Sequence, residues 1–82
     1  ILMEQPDYID MNDKIAIKFQ QAIGRLPSKQ KLSFSLRYYD DMTYEEIATV
    51  TGSTAASAKA NYHVAKEKII KFMNGFDKPD EQ

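Results

Sequence analysis

Between Met11 and Leu26 the apolar residues Ile15, Phe19, Ala22, Ile23 and Leu26 recur every three or four positions, the period of a helix with one buried face. Asp10, Asn12 and Asp13 are the candidates to cap its start, and Gly24 marks its end. Pro27 biases Leu26 away from helix and breaks the chain, after which Ser28 can cap a second helix. In that second segment Leu32, Leu36 and Tyr39 form one apolar line and Phe34 and Tyr38 an adjacent one, which predicts a helix buried on a broad front. The alternation from Leu32 to Leu36 also suits a strand, but no partner strand is visible. Met11, Met42 and Met73 are expected to fill gaps in the core.

The stretch from Thr43 to Lys71 organises the rest. Thr43 is a good N-cap, and Glu46 three residues later completes a capping box. Ile47 and Val50 give the helix that follows an apolar edge. Gly52 supplies the left-handed backbone that ends a helix at little cost, and Thr54 then caps a longer one. In this last helix Ala58, Tyr62, Ala65 and Ile69 follow at four-, three- and four-residue steps and form one buried stripe. A short helix, a tight turn with glycine and a longer helix make the outline of a helix-turn-helix, an outline other helical hairpins share. The pattern predicts four helices, near 11–25, 28–39, 43–50 and 54–74, in one all-α domain over about residues 11–74. Residues 1–10 read as a linker or disordered N-terminal piece, and 75–82, with Gly75 and Pro79, as a disordered tail.

Composition narrows the function classes. A chain of 82 residues is one small domain of modest stability. Without cysteine it has neither a disulfide framework nor a thiolate metal site, which fits a reducing compartment. His63 is the single histidine, so no metal site is expected. No apolar run approaches the roughly 18 residues of a membrane span, and no signal peptide is visible. The chain begins at Ile1 rather than Met, which reads as a piece of something longer. Its net charge of −1 is unevenly spread. Between Arg25 and Lys71 eight basic side chains stand against five acidic ones, net +3, whereas the two ends carry three lysines and seven acids, net −4. A basic middle between acidic ends suits a weak anion-binding face; ordinary solvated charge is the alternative.

At residues 26–52, LPSKQKLSFSLRYYDDMTYEEIATVTG, the chain resembles region 4 of bacterial sigma factors, especially the extracytoplasmic-function group. That family carries L-P-x-K-Q-R, then F-x-L-R-Y, then a short turn and [ST]-Y-E-E-I-A-x-x-x-G. Leu26, Pro27, Lys29, Gln30, Phe34, Leu36, Arg37, Tyr38, Thr43, Tyr44, Glu45, Glu46, Ile47, Ala48 and Gly52 all fall in place. The likeness extends over about Ile15 to Phe72. It departs after Gly52, where the family usually continues S-V-G-T-V-K-S-R-L-H-R-A-R: Lys59, His63 and Ala65 match, Asn61 and Val64 stand where arginines are common, and Ala60 stands for serine.

The resemblance implies a compact four-helix domain with a helix-turn-helix, of winged-helix-like or sigma region 4 architecture. It implies recognition of the promoter's minus-thirty-five element in complex with core RNA polymerase, in the cytoplasm, with docking on the β-subunit flap and masking by anti-sigma factors. No enzymatic activity, cofactor, small-molecule substrate or membrane partner is expected. Family positions that touch bases map onto Lys59, Ala60, His63 and Val64. Wheel geometry agrees, because with Ala58, Tyr62, Ala65 and Ile69 buried the opposite face holds Ala56, Ala60, His63, Val64 and Glu67, flanked by Ser57 and Lys59.

Chemistry limits what this face can read. Lys59 can donate to guanine O6 and N7, and Ser57 can pair with several base edges. Ala60 and Val64 offer only methyl contact, which suits thymine. His63 is a neutral donor or acceptor, or else an exposed residue without a role. Phosphate contacts are expected from Lys31, Arg37, Asn61, Lys66 and the helix start at Thr54. Arg37 has an alternative, an internal pair with Asp40 or Glu45, and Tyr38 and Tyr44 can equally be packing aromatics. Lys68 and Lys71 read as solvated. Two further functions share the outline. One is a sigma-like interaction domain that binds polymerase or a regulator without strong DNA affinity, which the arginine-poor positions favour. The other is a response-regulator output domain, against which the L-P-x-K-Q and R-Y-Y signatures argue. An enzyme has little support, since Ser57 and His63 lie on an exposed helix with no phosphate loop or metal cluster nearby.

Overall fold

The computed structural model describes residues 11–75, with the side chain of Met11 left out. The expected linker over 1–10, with the candidate cap Asp10, lies outside the described residues. So does the expected tail beyond Gly75, and so does the side chain of Met11 as a core filler. Four helices follow in order: α1 (Met11–Gly24), α2 (Ser28–Tyr38), α3 (Tyr44–Thr51) and α4 (Ala55–Asn74). No strand occurs among the described residues, so helices carry the whole architecture.

Helix α4 is the hub. Each of the other three helices packs on it, α2 most extensively and α3 next. The predicted stripe is what they cover: Ala58, Ala65 and Ile69 are buried and Tyr62 is half-buried against the core. Alanine at two of these positions lets α2 and α3 approach closely. Ala22, Ile23 and Leu26 from α1 and its exit, with Phe34 from α2, complete the central cluster, and Phe19, Phe72 and Met73 pack around it. Rings join the helices. Phe34 stacks between Tyr62 (5.5 Å, 10°) and Tyr38 (5.2 Å, 13°) and meets the edge of Phe19 at 6.1 Å. The cations of Lys18 and Arg25 each lie 4.8 Å from the Phe72 ring, fastening α1 to the far end of α4.

The helix-turn-helix is held by local chemistry. Thr43 Oγ1 accepts from the Glu46 amide at 3.1 Å, and the Thr43 amide donates to Glu46 Oε1 at 2.9 Å, a complete capping box. Gly52 takes φ +69°, and the amide of Ser53 donates to the Ala48 carbonyl, closing α3 with a left-handed cap. Thr54 Oγ1 then accepts from the Ser57 amide at 3.0 Å to start α4. A Cβ added at Gly52 would meet no atom within 4 Å, so the cost of a side chain there is confined to the backbone. Gly52→Ala should therefore destabilise the domain by about 1–2 kcal/mol, read as a lower urea midpoint at unchanged m. An unchanged midpoint would mean that the turn is not held left-handed in solution.

Three expectations from the sequence need correction. Helix α2 is not buried on a broad front: Ser33 and Phe34 are buried, but Leu32 is 43% exposed and Tyr38 and Tyr39 are more than half exposed. With only α4 and the short α3 on one side and the end of α1 on another, no element among the described residues covers its remaining flank. Ser28 does not cap α2 either. Pro27 (φ −59°, ψ 156°) is the N-cap, Ser28 is already helical, and no side chain caps the end. Ile15 and Val50, placed on apolar faces by their spacing, are 50% and 56% exposed, because α1 overhangs the core at its start and α3 is too short to bury a second turn.

Candidate nucleic-acid interface

The side of α4 turned away from the core carries the candidate residues. Thr54 fixes where the helix begins, so the register of every later side chain follows from that cap and from the burial of Ala58 and Ala65. Lys59, His63 and Lys66 follow at i, i+4 and i+7 and form one exposed row. Ala60, Val64 and Glu67 form a second exposed row beside it. His63 rests edge-on against Tyr62, with ring centroids 5.4 Å apart, which ties the imidazole to the half-buried side of the helix. The result is a helix about 30 Å long at 1.5 Å per residue, its outer side not covered by any described residue and not strongly charged.

Other predicted residues sit elsewhere. Ser57 and Asn61, one turn apart, face a groove between the starts of α4 and α2 and the α3–α4 turn. Lys31 is exposed on α2. Arg37, in the last turn of α2, is half-buried beside the link to α3. Its Nη1 donates to the Met42 carbonyl at 2.8 Å, and its guanidinium lies 4.9 Å over the Tyr44 ring. Neither Asp40 nor Glu45 is its partner. Asp41, at φ +56°, makes the sharp bend that brings the Met42 carbonyl within reach. Tyr44 in turn leans on Tyr62 at 6.2 Å. Arg37 thus joins α2, the bend and the first helix of the helix-turn-helix to α4, and only its other donor end is left for an external anion. Tyr38 and Tyr44 are both packing aromatics in this arrangement.

The groove itself was not anticipated. It measures about 350 Å³, and Lys29, Leu32 and Ser33 line it from α2. Its sequence signal is slight: a small polar residue, Ser33, set between Leu32 and Phe34 on a helix whose start carries no side-chain cap. Among the described residues no group of His, Cys, Asp and Glu is placed to hold a metal ion. No described helix is long and apolar enough to cross a membrane.

Comparison with known proteins agrees with this geometry. The family described as Sigma-70, region 4 matches residues 16–69, a span from α1 to the buried end of α4. A curated relative, the RNA polymerase sigma-H factor of Pseudomonas aeruginosa, is 29% identical over 69 residues, which is 84% of this chain and 36% of that protein. The chain therefore spans about a third of the relative it matches. No solved structure matches it at comparable stringency. The matched span takes in the capping box, the left-handed glycine turn and the second helix together, and the chain belongs to the sigma-70 region 4 family of transcription-factor domains.

Proposed function

We propose that α4 enters the major groove of promoter DNA and reads the minus-thirty-five element, as the C-terminal domain of a sigma factor of the extracytoplasmic-function type. The observation that carries this reading is the two-sidedness of α4: Ala58, Ala65 and Ile69 are sealed, while Lys59, Ala60, His63 and Val64 stand out together. A single α-helix presented in this way fits the major groove of B-DNA. Lys59 supplies the hydrogen bonds to guanine, His63 and Ser57 add adaptable ones, and Ala60 and Val64 pack on thymine methyls. Lys31, Lys66, Asn61, the free end of Arg37 and the amides behind Thr54 contact phosphates. The full sigma factor acts in the cytoplasm on core RNA polymerase, docking this domain on the β-subunit flap, and an anti-sigma factor masks it. Crosslinking from a photoreactive residue at position 59 or 63 to promoter DNA within the reconstituted holoenzyme tests the reading. Adducts should map within the minus-thirty-five element, and crosslinks to protein alone would favour the interaction-domain alternative.

That alternative draws on the apolar part of the same surface. Val64 is 43% exposed, and Ile70 lies exposed near it with Glu67, Lys68 and Lys71. Ionic strength separates the two. With about three side-chain cations at the backbone, log Kobs for the promoter duplex should fall against log[salt] with a slope of about −3. A slope near −6 or steeper would require phosphate contacts beyond these residues.

A further inference from the structure

We propose that Tyr62 is a positioning residue for base recognition: its ring holds the His63 imidazole in one orientation on the outer face of α4, so that Tyr62 sets the preference at a base pair it does not touch. This rests on α4 entering promoter DNA, and it adds which residue makes His63 selective.

The contact between the two rings does not follow from their being neighbours in the chain. Consecutive helical side chains diverge by roughly 100° and do not face each other. Tyr62 packs against the core, and His63 is exposed. Their ring centroids nevertheless lie 5.4 Å apart with the planes at 76°, the edge-to-face arrangement that aromatic pairs favour. The imidazole therefore leans back over the boundary of the exposed face instead of standing straight out from the helix.

Tyr62 can hold it because Tyr62 is itself held from two other helices. Phe34 of α2, which is buried, lies parallel to its ring at 5.5 Å and 10°. Tyr44 of α3 meets it at 6.2 Å and 55°. The Tyr44 ring carries the Arg37 guanidinium at 4.9 Å, and Arg37 is tied to the Met42 carbonyl at 2.8 Å. Turning the Tyr62 ring would disturb both packings at once. A continuous set of contacts thus runs from the core to one polar side chain of the outer face. Lys59 reaches out on a flexible four-carbon stem, and Ala60 and Val64 have no hydrogen bond to direct.

A free imidazole could turn to meet several base edges. A held one bonds only where an edge puts its polar atom on the line of the ring nitrogen, which converts a tolerant contact into a selective one. Holding it beforehand also spares the roughly two- to tenfold in affinity that ordering a side chain on binding takes.

Two measurements on the 82-residue chain test this. The first needs no DNA. In NMR spectra the ring protons of His63 should be displaced by the ring current of Tyr62, and the couplings between its Hα and Hβ protons should report one rotamer. Tyr62→Phe, which keeps the ring, should preserve both signs, and Tyr62→Leu should lose both. A His63 side chain that averages over rotamers in the unsubstituted chain would overturn the proposal whatever the variants do.

The second is selection from a pool of randomised duplexes, sequenced before and after binding at a temperature where circular dichroism shows each variant folded. His63→Ala should flatten the base preference at one position of the selected site. Tyr62→Leu should flatten the same position by roughly two- to tenfold, keep the preferences elsewhere, and add nothing further when combined with His63→Ala. Tyr62→Phe should select the same site as the unsubstituted chain. Tyr44→Leu, which loosens the Tyr62 ring without removing it, should show a smaller loss at that position and keeps the test open if Tyr62→Leu does not fold. Weakening of every position alike by Tyr62→Leu, or flattening by loss of the hydroxyl alone, would overturn the proposal. The two readings fail differently. A pool without any preferred base, beside a single His63 rotamer, removes the promoter reading and this proposal with it. A preferred site beside a rotating His63 removes only this one.

Discussion

Replacing Phe34 by alanine should leave much of the domain unfolded at room temperature. Phe34 is 3% exposed and is the ring on which the others are built, stacked on Tyr62 of α4 and Tyr38 of its own helix and meeting Phe19 of α1 edge-on. Truncating a buried phenylalanine costs about 3–5 kcal/mol through lost transfer energy and the cavity left behind. The lost ring pairs are included in that figure. A domain of this size is stabilised by about 0.05–0.15 kcal/mol per residue, so the loss is of the same order as the total. Neighbours cannot collapse into the space easily, because Ala22 and Ala65 already bring α1 and α4 close to the site. Urea unfolding followed by circular dichroism checks this. Phe34→Leu should lose less than half as much, and Ile17→Ala, on the exposed side of α1, should change stability by no more than about 0.5 kcal/mol. Equal effects at positions 34 and 17 would contradict the packing described.

The elements that were legible in the sequence are those fixed by neighbours in the chain. Thr43 and Glu46 bond to each other's backbone, Gly52 solves a steric problem at its own position, and Thr54 reaches three residues ahead. The stripe on α4 was legible for a related reason: small and aromatic residues at helical spacing leave one way to bury the helix. What escaped depends on where distant elements end. Leu32 and Tyr39 look apolar enough to be buried, yet no fifth helix exists among the described residues to cover them. Arg37 offered carboxylates as partners in the sequence, but the left-handed bend at Asp41 presents the Met42 carbonyl instead. The groove at Ser33 joins three segments whose sequence patterns say nothing about one another.

This division bears on function. The face of α4 is set by its cap and its buried side, both strongly specified, so its outward residues are presented in one register. The supports around it are less local: Arg37 and Tyr44 connect the helix-turn-helix to α2 through Tyr62, on the same helix as His63. A change in that chain of contacts would shift α4 without touching any residue on its outer face.

Lys59→Ala should lose about 1–3 kcal/mol at the cognate promoter site and clearly less on random duplex. Lys59 is exposed, begins the row completed by His63 and Lys66, and is the one residue on the central face with a positively charged donor able to reach guanine O6 and N7. Ala60 and Val64 beside it have no hydrogen bond to give, so the polar part of the discrimination falls mainly on this side chain. One base contact is worth about this much, a loss of roughly five- to two-hundred-fold in affinity. A lysine that only neutralises a phosphate would behave differently, weakening all sequences alike and lowering the salt slope by about one. Lys66, further along the row, is expected to follow that second pattern. Because both side chains are exposed, neither substitution should move the melting temperature by more than a degree or two. Binding isotherms for Lys59→Ala and Lys66→Ala on cognate and scrambled duplexes, each at two salt concentrations, separate the roles. If Lys59→Ala weakens cognate and scrambled duplexes equally, its ammonium rests on the backbone, and specificity must come from His63, Ser57 and the methyl contacts.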